Sequence, residues 1–317
     1  MKPHDRRSLP PGLFLLAATA AVFAGLCVAD FLAFLLVHWC YGWSFAQFGQ
    51  LETLVPSLPH ARAGLLLVQG VVGLGMGLGA LVVPVWAGHS LRCYFTPRPL
   101  AATWPLLGAS LLICCAVPFT TALAAWNATL HLPDSWHAVE QWMRAQEDQA
   151  QRLTQALTRF TSPAQALAAL VVLAGIPAVG EELVFRGLIQ RGLGRWLHSP
   201  HGSVWLTAAV FSLLHVQFLG FVPRFILGVV LGYLYLWSDN LLVPIAAHFA
   251  QNAGQLVLLG LSQHPWLSRQ FNSEGVPAWP VALVSGLFAA GIGYGLARYF
   301  AGRAGSPSPE ATQADYL

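Results

Sequence analysis

Three short stretches in the second half of the chain carry reactive residue types at helical spacing. They are Glu181 and Glu182 followed by Arg186, Phe211 followed by His215, and His248 followed by Asn252. Residues four apart share one face of a helix, so Glu182 and Arg186 can form an ion pair that neutralises both. Glu181 lies about 100° further round the helix and is left without that counter-charge. A desolvated carboxylate of this kind can take a proton from water near neutral pH, as a general base must. Histidines and an amide on neighbouring helices can assist that base or donate to an oxyanion. Glu181, His215 and His248 are also zinc-binding types, so a three-ligand metal site is the alternative use of the same residues, although HExxH is absent.

The elements that must present these groups are membrane helices. Of 317 residues, 56% are hydrophobic and 9% charged, where soluble domains carry about 25% charged residues. Apolar runs near the roughly 20 residues needed to cross a bilayer predict an all-α polytopic bundle of about eight spans, at 12–38, 63–87, 104–126, 163–187, 203–220, 222–237, 241–261 and 279–299. Four regions follow: N-terminal spans over 1–130, an amphipathic connecting helix over 131–161, a membrane domain carrying the three stretches over 162–300, and a disordered tail over 301–317. A net charge of +3 gives no nucleic-acid surface. The five cysteines have no CxxC spacing and read as small hydrophobes.

Arginines concentrate in the segments that eight spans would place inside, among them Arg92, Arg98, Arg191, Arg195, Arg298 and Arg303, which predicts cytoplasmic termini. With the fourth span ending near residue 187, Glu181 and His248 fall near the cytoplasmic face, and a water-filled cavity opening to that side is expected. Pro177, with Gly175 and Gly180, is expected to kink the fourth helix and admit water beside Glu181. Glycines 70, 73, 75, 77 and 79 lie within an apolar span, where GxxxG spacing predicts close helix packing rather than a dinucleotide loop. Asn127-Ala128-Thr129 is a glycosylation sequon on the expected outer side. His38, Asp30, His60, His89 and Gln217, each isolated, read as helix-bridging or interfacial groups.

The patterns EExxxR, FxxxH and HxxxN, in that order over about Ser162 to Leu261, resemble the CPBP family of intramembrane proteases. This is the CAAX protease and bacteriocin-processing (Abi) family, which includes the type II CAAX prenyl endopeptidases. The resemblance implies an intramembrane endopeptidase of the plasma (inner) membrane of a bacterium, acting on a membrane-associated or lipidated protein or peptide. It makes Glu181 the base that activates water with help from His215, and it puts His248 and Asn252 at the oxyanion. Glu182 would orient Arg186 or the water, and Phe211 would be a packing or substrate-groove residue. No cofactor is required on this reading, and zinc on Glu181, His215 and His248 remains the alternative. A non-enzymatic immunity or scaffold protein that kept the fold, or a proton-coupled transporter relaying protons through Glu and His, would use the same residues differently.

Overall fold

In lipid, backbone polar groups must be satisfied within the chain, so long apolar runs become helices. The computed structural model describes residues 9–50, 60–158, 160, 162–262 and 276–303, and every regular element among them is helical. In chain order these are α1 (Pro11–Tyr41), the short α2 (Phe45–Gly49), α3 (Ala61–Trp86), the short α4 (Leu91–Phe95) and α5 (Trp104–Ala128). There follow α6 (His137–Thr158), α7 (Pro163–Leu197), α8 (Pro200–Leu214), α9 (Phe221–Ser238), α10 (Leu242–Ser262) and α11 (Trp279–Arg303). Helices α1, α3, α5, α7, α9, α10 and α11 are long and apolar enough to cross a membrane. The protein is an integral, multi-pass, all-α membrane bundle. The eighth expected span is α8, whose 15 residues reach only about 22 Å. Lys2, Arg6, Arg7, Arg159, Arg269 and the expected tail from 304 onward lie outside the described residues.

Contacts sort the helix ends into two groups. Arg195 donates to the Leu9 carbonyl at 3.0 Å, and the Arg191 guanidinium lies 4.5 Å from the Tyr94 ring. The Arg98 amide donates to the Asp239 carbonyl at 3.2 Å, and the Trp104 and Tyr299 rings are 4.5 Å apart. Both described ends of the chain therefore lie at one end of the bundle, with Arg98, Arg191 and Arg195. Eight traverses, one of them short, produce that result. The other end holds α6 and the turn after α8.

Without a hydrophobic drive between helices in lipid, small residues set how closely they approach. The glycines of α3 do this on two opposite faces. Gly75 and Gly79 meet α1, where a side chain at Gly79 would lie 2.7 Å from the Ala21 carbonyl oxygen and 2.9 Å from Val22 Cα. Gly73 and Gly77, two residues out of phase, meet α7, and the Gly73 carbonyl approaches within 3.2 Å of where a Cβ on Gly180 would stand. The expected GxxxG packing is present twice, and α3 packs one glycine face on α1 and the other on the helix that bears both glutamates.

Helix α7 runs to Leu197 rather than stopping near 187. Its terminal arginines are used as packing groups, Arg191 against Tyr94 and Arg195 against Phe14, so charge does not end it. Glu181 consequently sits near the middle of a 35-residue helix. Two π-helical stretches, Leu170–Gly175 and Leu183–Gln190, bracket the α-helical Ile176–Glu182. Pro177 has no N–H, and its ring would crowd the carbonyl four residues back. A widened turn just before it absorbs that conflict, so the expected kink takes the form of π-helix.

Helix α6 is amphipathic along its length in two ways. Toward its C-terminus Leu157 is buried, and Leu153 and Ala156 pack with it against Leu65, Leu66 and Ala169. Toward its N-terminus Trp136, just before the helix, and Val139 and Trp142 within it are exposed. Glu140 clasps the approach to this helix, accepting from Arg144 Nη2 at 2.7 Å and from the Leu132 amide at 2.9 Å, with His131 Nδ1 at 2.8 Å. These bonds hold its carboxyl down at about 2, Arg144 contributing most.

Candidate active site

Glu182 and Arg186 form the expected pair, Arg186 Nη1 donating to Glu182 Oε1 at 2.7 Å, with both side chains wholly buried. The same oxygen also meets His248 Nδ1 at 2.8 Å. A carboxylate already accepting from an arginine is ionised, so Nδ1 of His248 carries the proton and donates. The second guanidinium arm of Arg186 donates to the Gly228 carbonyl at 3.0 Å, and one turn on, Gln190 Nε2 donates to the Gly232 carbonyl at 3.0 Å. Helix α7 is thus stitched to α9 at two glycines, and to α10 through His248.

Glu181 points elsewhere. Its Oε2 lies 3.7 Å from His248 Nε2 and has no hydrogen-bond partner among the described residues, although the atom is buried. A buried carboxylate oxygen without a hydrogen-bond donor is costly, and the rest of the Glu181 side chain lines a cavity of about 360 Å³. Glu181, His215, His248 and Asn252 all line that cavity. His215 Nδ1 lies 2.8 Å from the Phe211 carbonyl. A carbonyl only accepts, so the proton is on Nδ1 and the Nε2 of a neutral ring offers its lone pair.

Phe211, expected as a packing or groove residue, is 1% exposed and does not belong to the cavity wall. Its ring packs on Phe185, His215 and His248, with the Arg186 guanidinium 5.1 Å from its centroid. It is the packing residue between the two histidines. Glu182 and Arg186 are likewise behind the wall, acting on it through His248.

Four polar residues of the wall escape the motif reading: Gln69 on α3, Thr154 and Thr158 on α6, and Gln255 on α10. Gln255 follows His248 by seven residues and Asn252 by three, a spacing that puts it on the same face. Nothing comparable marks the other three. The zinc alternative fares differently: among the described residues no three His, Cys, Asp or Glu side chains are grouped to hold a metal ion. Each histidine has Nδ1 engaged and keeps Nε2.

The cavity is walled by the N-terminal half of α7, the C-terminal part of α6, the turn after α8 and the later turns of α10. These are the ends opposite Arg98, Arg191 and Arg195. The expectation of an opening beside the arginine-rich segments is therefore corrected. It rested on a fourth helix ending near 187, whereas ten further residues carry the arginines away from Glu181.

Asn127 also corrects an expectation. It is 3% exposed, and its amide nitrogen donates to the carbonyls of Phe218 (3.2 Å) and Leu219 (2.6 Å) while its oxygen accepts from the Val222 amide at 3.1 Å. A side chain so occupied is no glycan acceptor. Of the isolated polar residues, His38 meets the Trp43 carbonyl at 2.8 Å and Gln217 accepts from Arg224 at 2.6 Å, both as structural ties.

Residues 163–254 match the family model of type II CAAX prenyl endopeptidase Rce1-like proteins, the segment that contains all three motifs. Over 88 residues the chain is 31% identical to an uncharacterized protein, YpbD, of Bacillus subtilis (strain 168), covering 26% of this chain and 42% of that one. The match thus spans less than half of that relative's length. No solved structure matches the chain.

Proposed function

We propose that the protein is an intramembrane endopeptidase that hydrolyses a peptide bond with a water activated by Glu181. The observation that carries this reading is that Glu181, whose Oε2 has no hydrogen-bond donor among the described residues, lines one cavity together with His215, His248 and Asn252. The Rce1-like match over 163–254 supports proteolysis at the level of the family.

Glu181 and the Nε2 of His215 accept the two protons of a water, which turns an oxygen lone pair toward the scissile carbonyl. Glu181 takes one proton as the oxygen attacks carbon. The carbonyl oxygen becomes an oxyanion, which Asn252 meets with its amide N–H. His248, whose Nδ1 is held by Glu182, can join only through Nε2. The proton on Glu181 then passes to the leaving nitrogen as the C–N bond breaks, yielding one new carboxyl and one new amine. No metal enters these steps, and turnover by the purified protein is expected to persist after exhaustive chelation.

Both termini are proposed to be cytoplasmic, in a bacterial plasma membrane, because the arginine-bearing end of the bundle is the end the charge bias assigns inside. The cavity then opens toward the outer side, and its substrate is a membrane-associated or lipidated protein or peptide approaching from there or laterally.

The deciding experiment compares protein termini in membranes of cells expressing the wild type or Glu181→Ala at matched abundance. New termini seen only with the wild type are expected and would identify the substrate. Identical termini alongside a phenotype common to both would favour a scaffold or immunity role instead.

A further inference from the structure

Among the described residues, four other than glycine adopt positive φ: His60, His198, Asp239 and Val216. Histidine and aspartate tolerate the left-handed region comparatively well, but for a β-branched residue it is a true outlier. Val216, at φ 55° and directly after His215, therefore needs neighbours that hold it there. The structure supplies them. Arg224 reaches back with Nη2 to Gln217 Oε1 at 2.6 Å and with Nη1 to the Gln217 carbonyl at 3.2 Å. Asn127, from α5, ties Phe218, Leu219 and Val222, and Ser212 donates to the Phe221 carbonyl at 2.7 Å.

We infer that Arg224 and Asn127 are positioning residues, a two-sided clamp that keeps the strained turn at Val216 and so aims the His215 ring into the cavity. This rests on the reading of His215 as part of the proteolytic site. The clamp explains why a long charged side chain folds back onto a turn, and why an asparagine at the end of a transmembrane helix spends all its hydrogen bonds on a segment about 90 residues away in sequence. Released from Arg224, Val216 would relax to an ordinary conformation and rotate His215 away from both the Phe211 carbonyl and the water it is to receive.

The test reads His215 itself. In full-length protein in lipid nanodiscs, the imidazole nitrogen NMR signals of His215, assigned by their loss in His215→Ala, should report a proton held on Nδ1. Arg224→Gln should replace that signature with a mixture of tautomers while thermal unfolding stays cooperative, and proteolysis should fall by about 10²-fold, the scale of a 1 Å misplacement, mainly in kcat. Adding Val216→Gly, which removes the reason for the turn to relax, should restore the signature. If Arg224→Gln does not fold, Gln217→Ala carries the same comparison. An unchanged signature in Arg224→Gln, or no restoration by Val216→Gly, would overturn the clamp. So would full retention in Arg224→Lys, since charge alone would then suffice. Should the signature move as expected while His215→Ala still cleaves, the clamp stands and the proteolytic role of His215 falls.

Discussion

Glu181 and Glu182 are adjacent and chemically identical, yet their surroundings give them different work. Glu182 is shared by a buried arginine and a histidine, and removing it strands both. Glu182→Ala is expected to cost about 3–5 kcal/mol, the usual penalty for an orphaned buried charge, and to show as a lowered unfolding temperature and poor yield in detergent. Glu181→Gln should abolish proteolysis with the unfolding temperature unchanged; a large loss of stability there would contradict its role at the cavity. The sequence made the Glu182–Arg186 pair readable because it obeys helical spacing. It could not reveal that His248 joins the same oxygen, since that contact links separate helices. For the same reason Phe211 and Asn127 were readable as types but not as roles.

At the scale of elements, the two glycine faces of α3 differ in how much room they leave. A methyl at Gly77 would stand 3.6 Å from Gly180 Cα, an ordinary contact, whereas one at Gly79 would press on the backbone of α1. Gly77→Ala should therefore change stability by less than about 0.5 kcal/mol, and Gly79→Ala by about 1–3 kcal/mol, the range for overpacking, measured by unfolding in the same detergent. The clasp ahead of α6 makes a pH prediction. Glu140 is held at about 2 against an ordinary 4.5, so its contribution is fully present above 4.5 and is lost as pH falls toward 2. Hydrogen-exchange protection across 131–144, taken relative to the intrinsic rate at each pH, should fall over that window in the wild type and be low throughout in Glu140→Gln. Helix positions followed from hydropathy, but the length of α7 did not, because arginines that pack on aromatic rings look in a sequence like charges that end a span.

For the molecule as a whole, the proposed orientation makes a prediction about which compartment meets the site. An impermeant maleimide should label Thr154→Cys from outside intact cells and Arg98→Cys only after the membrane is opened. The reverse pattern would invert the protein and turn the cavity to the cytoplasm. The helical bundle was legible in the sequence, since it follows from composition and length, and seven of the eight expected spans are helices long and apolar enough to cross a membrane. The cavity's side was not, because it depends on how far along its helix Glu181 sits.

The two-faced α3 also bears on how the protein is made. Helices α1 and α3 precede α7 in the chain, so their glycine interface can form before α7 is synthesised. The glutamate-bearing helix is ill-suited to lie alone in lipid with two acids and an arginine, so a defect at the α1–α3 glycine interface should appear first as failed insertion of that later helix.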